Sequence, residues 1–255
     1  MTTVNRVEFF AVPGLPLVQP GDDLAALVGD ALKQADTALA DGDVLIVAQK
    51  TVSKAEGRLR RLSEVSAGSQ ARELAAATAK DPAVVQLILE ESSAILRHRP
   101  GVIIAEHHSG IVLANAGIDR SNVDADSDWV LLLPADPDAS ARQLRERLGR
   151  ITGARLGVVI ADSVGRAWRM GTVGLALGAA GVESLVNLRG RSDMFGRVLE
   201  VSEHAVADAI AAAAELVMGE ADEATPVVVC RGLDQGTSSQ TAASLLRPRA
   251  EDMFR

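Results

Sequence analysis

Val102-Ile103-Ile104-Ala105 and Ile111-Val112-Leu113-Ala114 flank Glu106-His107-His108-Ser109-Gly110. Two short apolar runs around a glycine-containing loop are the pattern of a β-hairpin. Its place between helices decides the fold class. Upstream, Pro82 to Leu96 reads as a helix with Asp81 as N-cap and the proline at the first helical position. Downstream, Ala139 to Ile151 reads as another. A hairpin set between helices breaks the strict alternation of a parallel α/β sheet, so the order predicts an α+β fold with antiparallel sheets.

Outward from the hairpin, Val44 to Ala48 follows Asp41-Gly42-Asp43 as a buried strand after a turn. Leu156 to Ala161 and Val227 to Cys230 are two more buried-strand candidates. Helices are expected at Asp23 to Leu39, Gln70 to Lys80 and Glu203 to Met218, the last with Ser202 as N-cap and Gly219 as stop. At about 150 residues per domain, residues 1–255 are read as a single unit of two intimate lobes, with an internal boundary at residues 134–138, Pro134-Ala135-Asp136-Pro137-Asp138. No repeat at solenoid spacing is present.

Composition narrows the function classes. The chain carries 26 Lys plus Arg against 34 Asp plus Glu, two Trp, four Phe and no Tyr. An acidic balance with few rings argues against a general nucleic-acid binder, which needs a basic face and stacking platforms. The one cysteine, Cys230, permits no intrachain disulfide, which fits a reducing compartment. It reads as a small core residue. The N-terminus lacks the regions of a signal peptide. The most apolar stretch, Gly171 to Val182, is glycine-broken and shorter than the roughly 20 residues that span a bilayer. A cytoplasmic protein with no membrane partner is expected.

The familiar nucleotide motifs are absent. Neither G-x-x-x-x-G-K-[ST] nor G-x-G-x-x-G occurs, so P-loop and Rossmann readings are weak. H-E-x-x-H, C-x-x-C and G-x-S-x-G are missing too. His107-His108 reads as a solvated hairpin tip, because neighbours on a strand point to opposite faces and do not share one metal.

Four segments concentrate chemistry. Leu156-Gly157-Val158-Val159-Ile160-Ala161-Asp162-Ser163 delivers a carboxylate and a hydroxyl at the end of an apolar strand, hard oxygen ligands for Mg or Mn. A structural Asp capping a turn is the competing reading. Arg166, Trp168 and Arg169 follow, and guanidinium groups beside such an acid suit an anionic substrate. Asn115-Ala116-Gly117-Ile118-Asp119-Arg120-Ser121-Asn122 is either an oxygen-rich ligand site or an ordinary Asx turn. Gln49-Lys50-Thr51-Val52-Ser53-Lys54 is either a phosphate-holding set or a solvated charged face. Met218-Gly219-Glu220-Ala221-Asp222-Glu223-Ala224-Thr225 places acids at the negative end of a helix, which is easier to explain with a cation there; the alternative is fraying surface charge. Gly171, Gly174, Gly178 and Gly181 permit close approach of a ligand or a second subunit.

In this order, the segments resemble the coenzyme F-420:L-glutamate ligase family over nearly the whole chain, from Val12-Pro13-Gly14-Leu15-Pro16-Leu17-Val18 to Val227-Val228-Val229-Cys230-Arg231-Gly232. Further matching pieces are Ser53-Lys54-Ala55-Glu56-Gly57-Arg58 and Leu132-Leu133-Pro134. The resemblance implies a ligase adding L-glutamate to the deazaflavin coenzyme F-420 precursor through γ-glutamyl amide bonds. GTP is the implied co-substrate and an acyl phosphate the intermediate.

It also implies two divalent ions, Mg or Mn, on Asp119, Asp162, Ser163 and Glu220. GTP contacts are implied at Leu15, Pro16, Leu17, Val18, Gln49, Lys50, Lys54, Asn122 and Met218, Gly219, Glu220, Ala221, Asp222, Glu223, Ala224 and Thr225. Asp162 and Lys54, with Arg166 and Arg169, are the implied catalytic groups. A potassium ion and an intertwined homodimer of two-lobed α+β subunits, distinct from ATP-grasp ligases, belong to the same expectation. The competing functions are a two-metal phosphatase or nucleotide hydrolase on the same carboxylates, and a non-enzymatic binding protein.

Overall fold

Val44-Leu45-Ile46-Val47-Ala48 is apolar throughout because both faces of the strand it forms are covered. The computed structural model describes residues 6–121, 128–233 and 238–254. Its strands are β1 (Glu8–Ala11), β2 (Val44–Ala48), β3 (Leu59–Arg61), β4 (Ser92–Arg99), β5 (Val102–His107), β6 (Val112–Ala114), β7 (Trp129–Leu131), β8 (Gly157–Gly165), β9 (Thr172–Ala180), β10 (Leu185–Asn187), β11 (Glu203–Ala205) and β12 (Val227–Arg231). Its helices are α1 (Leu24–Gln34), α2 (Gln49–Ala55), α3 (Ser69–Thr78), α4 (Pro82–Glu90), α5 (Pro137–Thr152) and α6 (Val206–Met218).

The main sheet runs β1-β12-β2-β8-β9. All neighbours in it are antiparallel except β2 and β8. Side chains alternate between its faces. Leu45, Val47, Val158, Ile160, Val227 and Val229 share a core with Val28 and Leu32 of α1 and Leu144 and Leu148 of α5. Val44, Ile46, Val159, Val228 and Cys230 pack with Ile210, Ala211 and Ala214 of α6 on the other face. Cys230 is fully buried, as expected of a core residue, and burial raises its thiol pKa to about 11.

A second sheet, β4-β5-β6, stacks with α3 and α4 around Ala75, Val85, Ile88, Ile103, Ala105 and Leu132. Leu113, Leu133, Val164 and Leu177 form a small apolar cluster drawing on β6, β8 and β9. The mixed α+β reading with antiparallel sheets holds, and among the described residues no sheet closes into a barrel.

β9 is an edge strand, and its outward amides are capped by carboxylates. Gly174 N–H donates to Glu215 Oε2 at 2.6 Å, Ala176 N–H to Asp208 Oδ1 at 2.9 Å, and Ala179 N–H to Asp138 Oδ1 at 2.8 Å. This blocks the edge from pairing with another strand. The glycines make it possible: a Cβ on Gly174 would sit 2.5 Å from Ala211 O, and one on Gly178 would strike the Pro137 carbonyl. Their close neighbours are therefore the chain's own helices, while Gly171 faces open space.

Three helix ends differ from expectation. α1 stops at Gln34, not Leu39, because Asp36 turns left-handed (φ 48°) and Thr37 N–H bonds back to Leu32 O at 2.9 Å, a Schellman closure. α4 stops at Glu90, and Ser92–Arg99 instead pairs with β5 through a turn at Pro100-Gly101, Gly101 having φ 87°. Glycine after proline at a positive φ is type II turn chemistry, and the tertiary pairing overrides the helical periodicity. α6 begins at Val206, since Glu203–Ala205 pairs with β10. Its first amides are satisfied by the Ser184 carbonyl and not by the Ser202 side chain. Among the described residues, no helix is long and apolar enough to cross a membrane.

Candidate active site

The acids and lysines singled out in the sequence gather where β2 ends beside its parallel neighbour β8, a strand end of an open sheet where ligands characteristically bind. β2 runs directly into α2, so Lys50 stands in the first helical turn and Lys54 one turn later on the same face. Asp119 arrives from the second sheet. It follows a run of three left-handed residues, Asn115 (φ 53°), Ala116 (φ 53°) and Gly117 (φ 72°), and pairs through backbone bonds with Leu131. The run is held in place by packing: a side chain at Gly117 would collide with Leu133. Two non-glycine residues in this region are costly, roughly 1 kcal/mol each, a sign that the surrounding structure imposes the turn.

Lys50 Nζ lies 2.7 Å from Asp119 Oδ2 and donates to Ser121 Oγ at 2.9 Å. The Ser121 amide and hydroxyl both donate to Asp119 Oδ1, at 2.7 and 2.9 Å. Burial tends to raise the Asp119 pKa, but Lys50 and Ser121 outweigh it and hold the carboxyl below its ordinary range. Asp162 is opposite in character. Burial, then the charge of Asp119 and that of Glu220, drive it up to about 7 against the pull of Lys50.

Glu215 of α6, which the sequence reading did not single out, faces the same cluster. Burial and the adjoining Glu220 carboxyl raise it to about 7. Its period on α6 was readable, because Asp208 and Glu215 lie two helical turns apart on one face. What marks it as part of the site is its neighbour Glu220, which only the turn after α6 supplies.

Glu220 follows Gly219 (φ 74°) at the end of α6. The segment around it is anchored at both ends: Thr225 Oγ1 donates to Met218 O at 2.8 Å, and Ala48 N–H donates to Pro226 O at 2.8 Å. The second bond sets residues 218–225 beside the start of α2. Glu223 folds back over Gly219 and accepts the Ala221 amide at 2.9 Å, so this acid is tied locally. The exposed stretch carrying Leu15, Pro16 and Leu17 joins the cluster through Val18, buried in the same core as Val52, and through Gly21 N–H to Ala55 O at 2.9 Å.

Other expected residues stand elsewhere. Asp162 and Ser163 are not at a strand end: β8 continues to Gly165, paired with β9, and β2 is what ends beside them. Ser163 projects to the opposite face from Asp162, although its amide bonds to the Asp162 carboxyl. Arg166 and Arg169 occupy the exposed turn after β8, and among the described residues neither forms an ion pair. Arg166 reaches only Gly171 O, at 3.5 Å. At about 3.3 Å per strand residue, Arg166 begins roughly 13 Å along the chain from Asp162. Trp168, 83% exposed, meets the Phe254 ring at 5.1 Å. Gln49 is buried, its Oε1 accepting the Ser53 hydroxyl at 3.0 Å. Asn122 lies outside the described residues.

The hairpin histidines correct one expectation. His108 is exposed, but His107 is buried at 3%, with Nδ1 2.9 Å from Ser109 Oγ and Nε2 3.6 Å from Glu91 Oε2. Arg58 closes the group, pairing with Glu91 at 2.6 Å and donating to Leu133 O at 2.8 Å. His107 is a structural core group, because the turn folds it inward onto Glu91. A cavity of about 300 Å³ lined by His108, Asp136, Asp138, Leu177 and Ala242 contains none of the clustered acids.

Among the described residues no three Asp, Glu, His or Cys side chains converge closely enough to hold a metal by themselves. The donor chemistry still fits Mg or Mn arriving with a polyphosphate. Such ions take one or two carboxylates and complete their shell with water and phosphate oxygens. Burial, with the repulsion of neighbouring carboxylates, lifts Asp162 and Glu215, and a cation relieves that repulsion.

The sequence pattern of the F420-0:gamma-glutamyl ligase family matches residues 14–232. The chain is 45% identical over 251 residues to the coenzyme F420:L-glutamate ligase of Methanothermobacter thermautotrophicus, covering 98% of this chain and 99% of that protein. It is 46% identical over 242 residues to the protein of the same name from Methanopyrus kandleri, covering 93% of each. With that of Archaeoglobus fulgidus it shares 45% over 250 residues, 98% of this chain and 97% of the other. Two lysines and a set of oxygen donors at one sheet end, on a chain aligned with these proteins almost end to end, place it: the chain belongs to the F420-0:gamma-glutamyl ligase family, enzymes that form carbon–nitrogen bonds.

Proposed function

We propose that this enzyme joins L-glutamate to the deazaflavin coenzyme F-420 precursor through γ-glutamyl amide bonds, with GTP as the activating co-substrate. The observation that carries the reading is the meeting of Lys50, Asp119, Asp162 and Glu220, drawn from four separate segments. Forming an amide from a carboxylate in water requires activation. Transfer of the γ-phosphoryl group of GTP to the acceptor's terminal carboxylate gives an acyl phosphate and GDP. The amine of glutamate attacks that carbonyl, the C–N bond forms, phosphate leaves, and the amine's proton is released.

Phosphoryl transfer depends on positioning and charge neutralisation. Lys50 and Lys54 present ammonium groups one helical turn apart toward the phosphates. Asp119, Asp162 and Glu220 would hold two Mg or Mn ions, with the Ser163 oxygen reaching one of them from the other face of β8. Those ions supply charge neutralisation and Lewis acidity when bound. The loop of Leu15 to Val18 and the segment from Met218 to Thr225 flank α2 and form the nucleotide-binding rim, with Gln49 shaping its floor. Arg166 and Arg169 act on the more distant part of the anionic acceptor.

The potassium ion and the intertwined homodimer of two-lobed subunits belong to the same proposal. The support for association is the exposure of Trp168 (83%), Met170 (97%), Met194 (89%) and Phe195 (87%) on projecting turns, large apolar side chains that a second subunit would cover.

The test is an incubation with GTP, Mn, the deazaflavin precursor and glutamate, read by mass. Glutamyl increments dependent on all four are expected. Phosphate release from GTP without any glutamate requirement would replace the ligase reading with nucleotide hydrolysis.

A further inference from the structure

Glu215 has one oxygen committed and one without a donor. Oε2 accepts the Gly174 amide at 2.6 Å. Oε1 is fully enclosed and has no hydrogen-bond donor. Its carboxyl lies within hydrogen-bond reach of the Glu220 carboxyl, with Asp162 adding a third negative group nearby. Two carboxylates in contact offer only acceptors to each other, so a proton or a cation must stand between them.

The fold aims Glu215 there. Gly174 has no side chain, so α6 approaches β9 closely enough for Glu215 to reach the strand amide. That bond fixes the carboxyl beside Glu220 and leaves Oε1 enclosed without a donor. Glu220 is itself exposed, giving an ion a route from solvent. A divalent cation neutralises both carboxylates and relieves Asp162, which a single shared proton does not.

We infer that Glu215 is a further metal-holding carboxylate, outside the set Asp119, Asp162, Ser163 and Glu220, and that it shares one divalent cation with Glu220. This rests on the metal-dependent reading above.

The test is titration of the intact protein with Mn²⁺, alone and with GTP, by calorimetry and by electron paramagnetic resonance of free Mn²⁺. Glu215→Gln should weaken one Mn²⁺ by about tenfold or more, the range seen when a supporting ligand of a metal site is lost. The glutamine oxygen still accepts the Gly174 amide and its NH₂ donates to Glu220, so metal-free melting should be unchanged or raised while the Mn²⁺-induced rise shrinks. Asp208→Asn, on the same helix, should bind Mn²⁺ like wild type. Wild-type Mn²⁺ affinity in Glu215→Gln would overturn the inference and assign the pair a shared proton. Wild-type protein that binds no Mn²⁺ would overturn it as well. Mn²⁺ binding that responds to Glu215→Gln in a protein making no glutamyl product would instead overturn the ligase reading alone.

Discussion

Lys50 Nζ and Asp119 Oδ2 lie 2.7 Å apart, linking the first turn of α2 to the loop that follows β6. The lysine keeps one acid of the cluster ionised while its neighbours are pushed toward neutrality. Lys50 is thus the partner of a carboxylate and, in the proposed reaction, an ammonium that meets a phosphate. Lys50→Ala should lower kcat/KM by on the order of 100-fold, in line with loss of one preorganised charge-stabilising donor. Steady-state assay at varied GTP checks this; wild-type kcat/KM would remove the lysine from the reaction.

Asp162 makes the metal-free protein sensitive to pH. Its folded pKa, about 7, lies above the ordinary 3.8. Between those values the unfolded chain has released a proton that the folded chain still holds, so stability falls as pH rises from about 4 to about 7 and is level beyond. Glu215, raised from 4.5 to about 7, adds in the same direction. Asp162→Asn should flatten that slope in thermal melts taken in chelator, and should abolish ligation. A slope identical to wild type would show that Asp162 is already ionised in the folded protein.

Gly174→Ala tests how the edge strand carries the site. The added methyl meets Ala211 O at 2.5 Å, so α6 must shift, at a cost of about 1–3 kcal/mol. Chemical denaturation measures that cost. The same variant should bind Mn²⁺ more weakly, because Glu215 loses its anchor. Unchanged stability would mean that α6 moves freely over β9.

Arg231 and Asp43 pair bidentately at 2.9 and 2.6 Å, with Asp43 only 1% exposed. Removing the guanidinium leaves a buried carboxylate with no ionic partner. Arg231→Ala should therefore destabilise by about 3 kcal/mol, the low end for a broken buried pair, because the arginine itself is partly solvated. Urea unfolding at neutral pH checks this. A loss below about 1 kcal/mol would place the pair with ordinary surface bridges.

Legibility followed the range of the forces involved. Val44 to Ala48, the hairpin around His107 and His108, the Asp81-Pro82 helix start and the Gly219 stop were readable because apolar period, caps and glycine act within a few residues. Ser92 to Leu96 reads locally as the end of the preceding helix, but pairing with β5 outweighs that periodicity, and Pro100-Gly101 is the local signal of the turn. His107 reads as solvated from the sequence, since nothing local reports that Glu91 and Arg58 lie beneath the turn.

By itself the sequence determined the core-forming strands, the acid-bearing segments that surround the site and the family to which the chain belongs. The tertiary structure alone decided which of those acids share one field. Strand order sets β2 beside β8, a left-handed turn carries Asp119 to Lys50, and a glycine lets α6 close on β9. It separates Arg166 and Arg169 from the cluster and adds Glu215 to it. Electrostatic interaction depends on distance through space, and residues remote along the chain acquire such distances only when the sheet forms.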